Sequence, residues 1–236
     1  MTAASFAFHA GALRAGQLIR VVNFHNTAAG AADALHQHLA RLGRDYACIG
    51  LGELDQIFAT GQWQEDRPPL LPVFYEGYAN HAAVAVPILD ELGMTGWFFV
   101  PTVFVDCPPA DQRAFADAHS IELVEEEASA ERLAMTWDEI AGLAERHVIA
   151  AHSGTHEQAS RITSRDDLER EIFGPWRAIT EVTGRPPAAT AFLGGSALGA
   201  SPIVDQAVRA AGYRYVFSNT KIQRLTGRPA AATVPR

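Results

Sequence analysis

Two histidines lie four residues apart in the segment His152-Ser153-Gly154-Thr155-His156, directly after the apolar run Val148-Ile149-Ala150-Ala151. A short apolar run with a β-branched residue predicts a buried strand, and α/β folds carry their chemistry at the carboxyl ends of such strands. Neutral imidazole is a common zinc ligand, and one helical turn would let both rings face the same ion. An isolated pair at this spacing is more often structural. What favours a chemical role here is the upstream segment Phe74-Tyr75-Glu76-Gly77.

The elements that must position these residues follow from alternating apolar runs and segments of helical period. Capping boxes at Thr136 and Ser164 begin two predicted helices. Further helices are predicted at residues 28–42, 53–59, 79–92 and 202–212. Strands are predicted at residues 18–24, 46–49, 70–74, 96–100, 148–151, 189–193 and 213–217. Because the connections are helical or irregular, these strands should run parallel in a barrel-like sheet.

Local signals carry three further predictions. Thr27 should cap the helix that follows it. Pro87 should bend the helix in which it lies, and the pair Gly174-Pro175 should kink the helix that Ser164 begins. The acidic run Glu125-Glu126-Glu127 is interpreted as a solvated face.

Composition limits the class of protein. The chain of 236 residues fits one large α/β domain, residues 1–236, with residues 1–16 as an N-terminal extension. A formal net charge of −8 without a basic run argues against nucleic-acid binding. Cys48 and Cys107 form no CxxC pair, which is typical of a reducing compartment. Since we find neither a signal peptide nor an apolar stretch of membrane-spanning length, we expect a cytoplasmic protein without a membrane span.

The ordered motifs resemble a divergent member of the polysaccharide deacetylase superfamily, of the NodB-homology or carbohydrate esterase family 4 type. Residues 21–27 resemble the opening strand of that family, and residues 71–78 lie where the family has Thr-Phe-Asp-Asp-Gly-Tyr. Residues 85–89 and 97–102 continue the order, and residues 152–156 match the His-Ser/Thr-x-x-His metal motif. The resemblance implies a distorted (β/α) barrel, here with seven parallel strands, that hydrolyses amide bonds with the help of a divalent metal.

The resemblance also implies which residues bind the metal. In the family, the first Asp of the Asp-Asp pair is the general base and the second binds the metal beside the two histidines. Here Tyr75 and Glu76 stand at those positions, so the implied ligands are Glu76, His152 and His156, and the implied ion is zinc. A phenol, with a pKa of about 10, is protonated at neutral pH, so Tyr75 cannot be the base. It can instead orient substrate or donate a hydrogen bond to a developing oxyanion.

Other family features are missing. The third motif carries an Arg that pairs with the missing Asp, or a Pro-Tyr-Gly turn, whereas this chain has Phe192-Leu193-Gly194-Gly195-Ser196. From this segment Gly195 is assigned to substrate binding, together with Tyr75. Losing both members of an ion pair is self-consistent, because either one alone would be an uncompensated buried charge. The late histidine that protonates the leaving amine has no counterpart. His25 is the best candidate for a replacement proton-transfer group, ahead of Asp106 and Asp138.

Three functions stay open. The first is metal-dependent N-deacetylation of an amino sugar or related carbohydrate with an altered base. In the second, Glu76 is the base or an orienting group in the opening of a ureide or cyclic imide ring, because Tyr75-Glu76-Gly77 is similar to the motif of that branch; the intact histidine pair argues against it. The third is a catalytically silent barrel that binds a sugar or a partner.

We rank hydrolysis above pure binding, because losing a base slows a reaction by about 10²–10⁴ without abolishing it. Tyr75, Tyr78 and Trp97 are candidates for stacking against a sugar ring. Of the three, Trp97 lies in a predicted strand, a position more typical of the core.

Overall fold

A computed structural model describes residues 11–12 and 18–225 of the chain. Its centre is one sheet of eight strands in the order β1-β3-β4-β5-β6-β7-β8, with β2 paired to the beginning of β3. The strands are β1 (Arg20–Phe24), β2 (Ala47–Cys48), β3 (Pro69–Phe74), β4 (Trp97–Val100), β5 (Val148–Ala151), β6 (Ala189–Ala191), β7 (Tyr215–Phe217) and β8 (Ile222–Arg224). Strands β1 to β7 are parallel, and β8 is antiparallel to β7. The predicted class, a (β/α) barrel with seven parallel strands, is confirmed.

Helices connect these strands and cover the outer face of the sheet. The α-helices are α1 (Ala32–Asp45), α2 (Leu51–Thr60), α3 (Val86–Glu91), α4 (Thr102–Asp106), α5 (Gln112–Ala118), α6 (Trp137–Leu143), α7 (Arg165–Leu168), α8 (Gly174–Thr183) and α9 (Pro202–Ala211). Short 3-10 helices lie at Ala29–Ala31, Glu125–Ser129, Ala159–Arg161 and Leu193–Gly195. In the described ranges, none of the helices has the length and apolar character needed to cross a bilayer.

Strand periodicity divides the core into two layers. The residues of β3 and β4 are buried on both faces, as expected for parallel strands covered by helices. The layer inside the barrel contains Leu71, Val73, Trp97, Phe99, Ala150, Ala189, Ala191, Tyr215 and Phe217. Trp97 is therefore a core residue, and its indole N–H donates to the Ile49 carbonyl at 3.0 Å. Because strand side chains alternate, the same inner face continues to Tyr75 after Val73 and to His152 after Ala150, at the mouth of the barrel.

Two π-helical segments stand where the sequence predicts a bend and a kink. His81–Ala85 forms a π-helix directly before α3, which contains Pro87, and Glu169–Phe173 forms another directly before Gly174 and Pro175. Proline lacks an N–H and its ring clashes with the carbonyl four residues earlier, so a wider helical turn before it relieves both problems.

The prediction that Thr27 caps a helix is wrong. Its N–H and its hydroxyl both donate to the Asn80 side-chain carbonyl, at 3.1 and 3.0 Å, whereas α1 begins later, with Ala31 as its N-cap. The helix also continues through Gly43 to Asp45. Thr27 is diverted from the helix by a partner distant in sequence, which no local capping signal reveals.

The acidic run at 125–127 is not a simple solvated face. Glu126 accepts hydrogen bonds from the N–H groups of Ala29 and Gly30, at 2.9 and 3.1 Å. Glu127 is buried and accepts from the Asn26 and Asn80 side chains at 2.7 and 3.1 Å. The run therefore holds the loop that follows β1, because its carboxylates find donors roughly a hundred residues away.

Strand β8 was not predicted, since Ile222-Gln223-Arg224 is neither an apolar run nor an alternating one. It forms because a tight turn folds it back onto β7, where the Ser218 hydroxyl donates to the Lys221 carbonyl at 3.0 Å. In the described part of the chain β1 and β8 end the order of strands without pairing with each other, so the barrel is open between them.

Candidate metal centre and its cleft

A cleft of about 450 Å³ opens at the carboxyl ends of the strands. The six residues that the sequence selects for the site, His25, Tyr75, Glu76, His152, His156 and Gly195, all line it. They arrive from the ends of β1, β3 and β5 and from the loop after β6. Parallel strands deliver their carboxyl ends to one edge of the sheet, which explains why segments far apart in sequence meet there.

Three of these residues form a compact group of ligand atoms. Oε1 of Glu76 lies 3.6 Å from Nε2 of His152 and 3.5 Å from Nε2 of His156. One ligand atom from each of the three residues fits within 4.8 Å of the others, and all three side chains are buried. A carboxylate and two imidazoles at this spacing match the His/His/carboxylate donor set of catalytic zinc sites.

Backbone carbonyls orient the two imidazoles. Nδ1 of His152 lies 3.2 Å from the Ala191 carbonyl, and Nδ1 of His156 lies 2.9 Å from the His119 carbonyl. A carbonyl oxygen only accepts hydrogen bonds, so we assign a proton to Nδ1 of each ring. When Nε2 carries no proton, its lone pair faces the Glu76 carboxylate, so that an ion between them would be bound by both. This is the arrangement in which metal-binding histidines are held by partners outside the site.

The carboxyl group of Glu76 is suited to a cation. Burial raises its pKa, but the hydrogen bonds that the imidazoles of His152 and His156 donate when Nε2 is protonated lower the pKa more strongly, to about 2. Its other oxygen, Oε2, is buried without a hydrogen-bond partner. Burial lowers the pKa of His152, which keeps that ring neutral and able to act as a ligand. A negative carboxylate, an unpartnered buried oxygen and two imidazole lone pairs together fit a divalent metal ion.

The two histidines meet through a turn and not through one turn of helix, so that part of the prediction is wrong. Ser153 and His156 have left-handed backbone conformations, with φ of 54° and 63°. The Ser153 hydroxyl accepts the Glu157 N–H at 2.8 Å, and the segment after β5 forms consecutive turns. The ring centroids nevertheless lie 4.6 Å apart, because the turns bring both imidazoles to the same side.

Glu76 leaves β3 through an abrupt reversal of the backbone. Glu76 and Gly77 have φ values of 67° and 64°. A Cβ at position 77 would approach the Val100 side chain to 3.2 Å, so glycine suits both the conformation and the space. A left-handed non-glycine residue is strained, and such residues concentrate at functional sites. This turn aims the longer Glu side chain at the two histidines.

Tyr75 lies in a stack of rings beside the three candidate ligands. Its ring centroid is 5.0 Å from that of His152, 5.2 Å from that of Phe99 and 5.6 Å from that of His25. Burial, assisted by the charge of Glu76, raises the pKa of the phenol above its ordinary value. The phenol is therefore protonated at neutral pH and is available as a hydrogen-bond donor.

His25 is the exposed member of the group. Its Nε2 lies 3.8 Å from Oε1 of Glu76, and 62% of its side chain is exposed to the cleft and solvent. The buried His81 holds the backbone of His25, because Nε2 of His81 lies 2.5 Å from the His25 carbonyl oxygen. The other candidates, Asp106 and Asp138, do not line the cleft. Asp106 accepts a hydrogen bond from the Trp137 indole at 2.7 Å.

Glycines and the turn after β7 also line the cleft. Gly194 and Gly195 have φ values of 74° and 66°. A Cβ at Gly195 would lie 2.2 Å from Oδ1 of Asn219, so a side chain is excluded there. Tyr78 does not offer a stacking face to a ligand, because it is buried and its hydroxyl donates to the Glu122 carbonyl at 2.6 Å.

One residue that our sequence analysis missed lies behind the candidate ligands. Glu171, in the π-helix before α8, accepts hydrogen bonds from the N–H groups of Gly154 and Thr155. The sequence contains a pattern that could have indicated Glu171, because this residue falls on the same helical face as the apolar residues Leu168 and Pro175. A charged residue on a buried face indicates a specific partner.

Comparisons with known proteins identify a matching family model and several solved structures of similar fold. The family model described as "Polysaccharide deacetylase" matches residues 64–216. A search of curated proteins finds no match. Among solved structures, the chain is similar to the Streptococcus pyogenes deacetylase PplD in complex with acetate, with a TM-score of 0.66, 14% identity and coverage of 87% of this chain and 86% of that one.

Two further solved structures are similar over most of their length. IcaB from Ammonifex degensii has a TM-score of 0.63 at 17% identity, with coverage of 91% of this chain and 88% of that one. A de-N-acetylase from Aggregatibacter actinomycetemcomitans has a TM-score of 0.64 at 15% identity, with coverage of 89% and 92%. At these identities the likeness establishes the shared fold.

Proposed function

Because this chain belongs to the polysaccharide deacetylase family, and is thus a hydrolase of carbon–nitrogen bonds other than peptide bonds, we propose that it removes N-acetyl groups from an amino sugar or related carbohydrate, with zinc as its metal. The observation that carries this proposal is the buried group of Glu76, His152 and His156, whose ligand atoms fit within 4.8 Å of one another. These three residues would hold the ion. When bound, a divalent metal polarises an amide carbonyl and lowers the pKa of water.

Tyr75 and Gly195 act on the substrate from two walls of the cleft. The protonated Tyr75 phenol donates a hydrogen bond to an oxygen of the substrate, and this interaction strengthens when negative charge develops on that oxygen. Gly195 also lines the cleft, and its lack of a side chain lets the Asn219 side chain pack against it, where the Asn219 amide is available to substrate hydroxyl groups. Together they orient the acetamide group beside the ligand residues.

In this proposal, His25 replaces the missing general base. Its imidazole is exposed in the cleft, and its Nε2 is close to the Glu76 carboxylate that faces the two ligand histidines. An imidazole can take a proton from water and return it to the leaving amine. One residue at this position can thus serve both proton-transfer steps.

The lining of the cleft favours an uncharged sugar. Among the described residues that form its walls, none is Lys or Arg, whereas Glu76 and Glu122 are acidic. Asn23, Ser218 and Asn219 supply uncharged polar groups suited to hydroxyl groups.

The test is acetate release from N-acetylated oligosaccharides by protein loaded with about one equivalent of zinc. Turnover by the wild-type chain, lost in Glu76→Gln with the fold intact, supports the proposal. A metal-loaded wild-type protein that releases no acetate from neutral, cationic or anionic substrates contradicts it.

A specific observation favours a second candidate, a silent carbohydrate-binding protein. The position of the family's base is occupied by Tyr75, whose phenol is kept protonated by burial. If the wild-type protein binds oligosaccharides with micromolar affinity and neither it nor its Tyr75→Asp variant releases acetate, binding is the function.

A further inference from the structure

We propose that Glu171 is a positioning residue that holds the loop of residues 152–156 so that both imidazoles converge on Glu76. This inference rests on the proposed function, in which that loop binds a metal. Glu171 touches neither imidazole, so its effect passes through the backbone of Gly154 and Thr155.

The carboxylate of Glu171 is fully occupied by donors. Oε2 accepts the N–H groups of Gly154 and Thr155, at 3.0 and 2.8 Å. Oε1 accepts the Thr155 hydroxyl at 2.8 Å and Nε of Arg170 at 2.7 Å. The side chain of Glu171 is completely buried, with 0% exposure, whereas that of Arg170 is half exposed. Three of the four donors come from the loop between the two candidate ligands.

The loop needs such an external partner because its conformation is strained. Ser153 and His156 are both in the left-handed region, where residues with a Cβ are unfavourable. The loop lies beyond the end of β5, and strand pairing reaches only its first residue, whose N–H donates to the Val100 carbonyl at 2.9 Å. Charge-assisted hydrogen bonds to a buried carboxylate are strong enough to keep the strained turns in place.

Close packing adds a second constraint. A Cβ at Gly154 would lie 2.1 Å from the Arg170 carbonyl oxygen, so the loop rests directly on the π-helical turn at 169–173. The wide turn presents the Arg170 carbonyl and the Glu171 carboxylate to the same short stretch of loop. The helix irregularity that precedes Pro175 thus serves the geometry of the metal centre.

The test compares the metal affinity of Glu171→Gln with that of Glu169→Gln. Glutamine preserves the volume of Glu171 but turns one acceptor into an NH₂ donor, which faces donors on the loop. Glu169 is an exposed residue of the same π-helix, paired with Arg177, and serves as a matched control. Affinity is measured for Zn²⁺ by competition with a chromophoric chelator, and geometry by the visible spectrum of the Co²⁺-loaded protein.

We expect Glu171→Gln to bind Zn²⁺ about 10–100-fold more weakly than wild type and to change the Co²⁺ spectrum, with Glu169→Gln unchanged in both. A purely structural role would lower thermal stability without altering the Co²⁺ spectrum of the folded protein. Thr155→Val removes only the hydroxyl donor, so it should weaken metal binding in the same direction and by less.

Several outcomes would overturn the proposal. If wild type binds Zn²⁺ and Glu171→Gln binds it equally well, the positioning role is wrong while the proposed function stands. If Glu171→Gln does not fold, the Thr155→Val variant takes its place: a Zn²⁺ affinity equal to that of the wild type would likewise show that the positioning role is wrong. A wild-type protein without metal affinity overturns both the positioning role and the metal-dependent function.

Discussion

Nε2 of His25 lies 3.8 Å from Oε1 of Glu76, the same carboxylate oxygen that faces the imidazoles of His152 and His156. Three imidazoles therefore surround one oxygen atom, but they differ in environment. His152 and His156 are buried and held by backbone carbonyls, whereas His25 is largely exposed. This difference separates two groups suited to binding a cation from one suited to exchanging protons with substrate and water.

We expect His152→Ala to lose the metal. Removing one of three ligands leaves too few donors for tight binding, so elemental analysis should fall from about one metal ion per chain to near zero. His36→Ala, which changes a partly exposed histidine that does not line the cleft, should keep its metal. Retention of the metal by His152→Ala would exclude this residue as a ligand.

Replacement of Tyr75 by aspartate should raise deacetylase activity. The change returns a carboxylate to the position of the family's base, and a positioned base contributes about 10²–10⁴ in rate. Initial rates of acetate release are compared at saturating metal. Tyr75→Asn is the matched control, because it has the size of aspartate and cannot take a proton. No gain over the asparagine variant, with metal bound in both, would contradict the prediction.

His25→Ala should lower kcat by about 10²–10⁴ while metal content stays at the wild-type level. The alanine variant leaves space at the mouth of the cleft, so added imidazole should restore part of the activity. Steady-state kinetics with and without imidazole measure both effects. If kcat is unchanged, the proton-transfer group lies elsewhere; if metal is lost, His25 is a ligand.

His81 should make stability depend on pH. Burial lowers its pKa to about 4, against an ordinary value near 6.5. The unfolded chain therefore binds a proton more readily than the folded one between these values. The contribution of His81 to the free energy of unfolding is fully present above pH 6.5 and is lost as the pH falls toward 4. Between pH 7 and pH 5 the free energy of unfolding should fall by about 2 kcal/mol for this reason.

Urea unfolding of the metal-free protein at the two pH values tests this prediction. His81→Gln keeps a side-chain N–H that can reach the His25 carbonyl and does not titrate. Between pH 7 and pH 5, the free energy of unfolding of this variant should therefore fall by about 2 kcal/mol less than that of the wild type. Equal losses in the two proteins would mean that His81 does not titrate in this range.

The fold was predictable because its signals are local. Buried parallel strands are continuous apolar runs, such as Trp97-Phe98-Phe99-Val100, and helix ends carry capping residues at Thr136 and Ser164. The histidine pair and Glu76 stand at the ends of such strands, so the sequence also indicated where the site lies. That inference needs only the order of strands and the direction of the sheet.

What the sequence did not reveal depends on partners far along the chain. Glu127 was interpreted as solvated, although it binds Asn26 and Asn80. The turn geometry of residues 152–156 depends on Glu171, and a spacing of four residues fits either a helix or this turn. Strand β8 exists only because β7 offers it an edge. In each case an interaction distant in sequence overrides the local preference.

The open side of the barrel gives the site two halves with different mechanical character. Glu76 and His152 follow β3 and β5, which have neighbours on both sides, whereas His25 follows β1, which pairs only with β3 among the described strands. Amide hydrogens of β1 should therefore exchange with solvent faster than those of β3 and β5. Under the proposed function, substitutions at the rim could replace the proton-transfer group without disturbing the residues that hold the ion. Residues that follow β1 could thus change independently of those that follow β3 and β5.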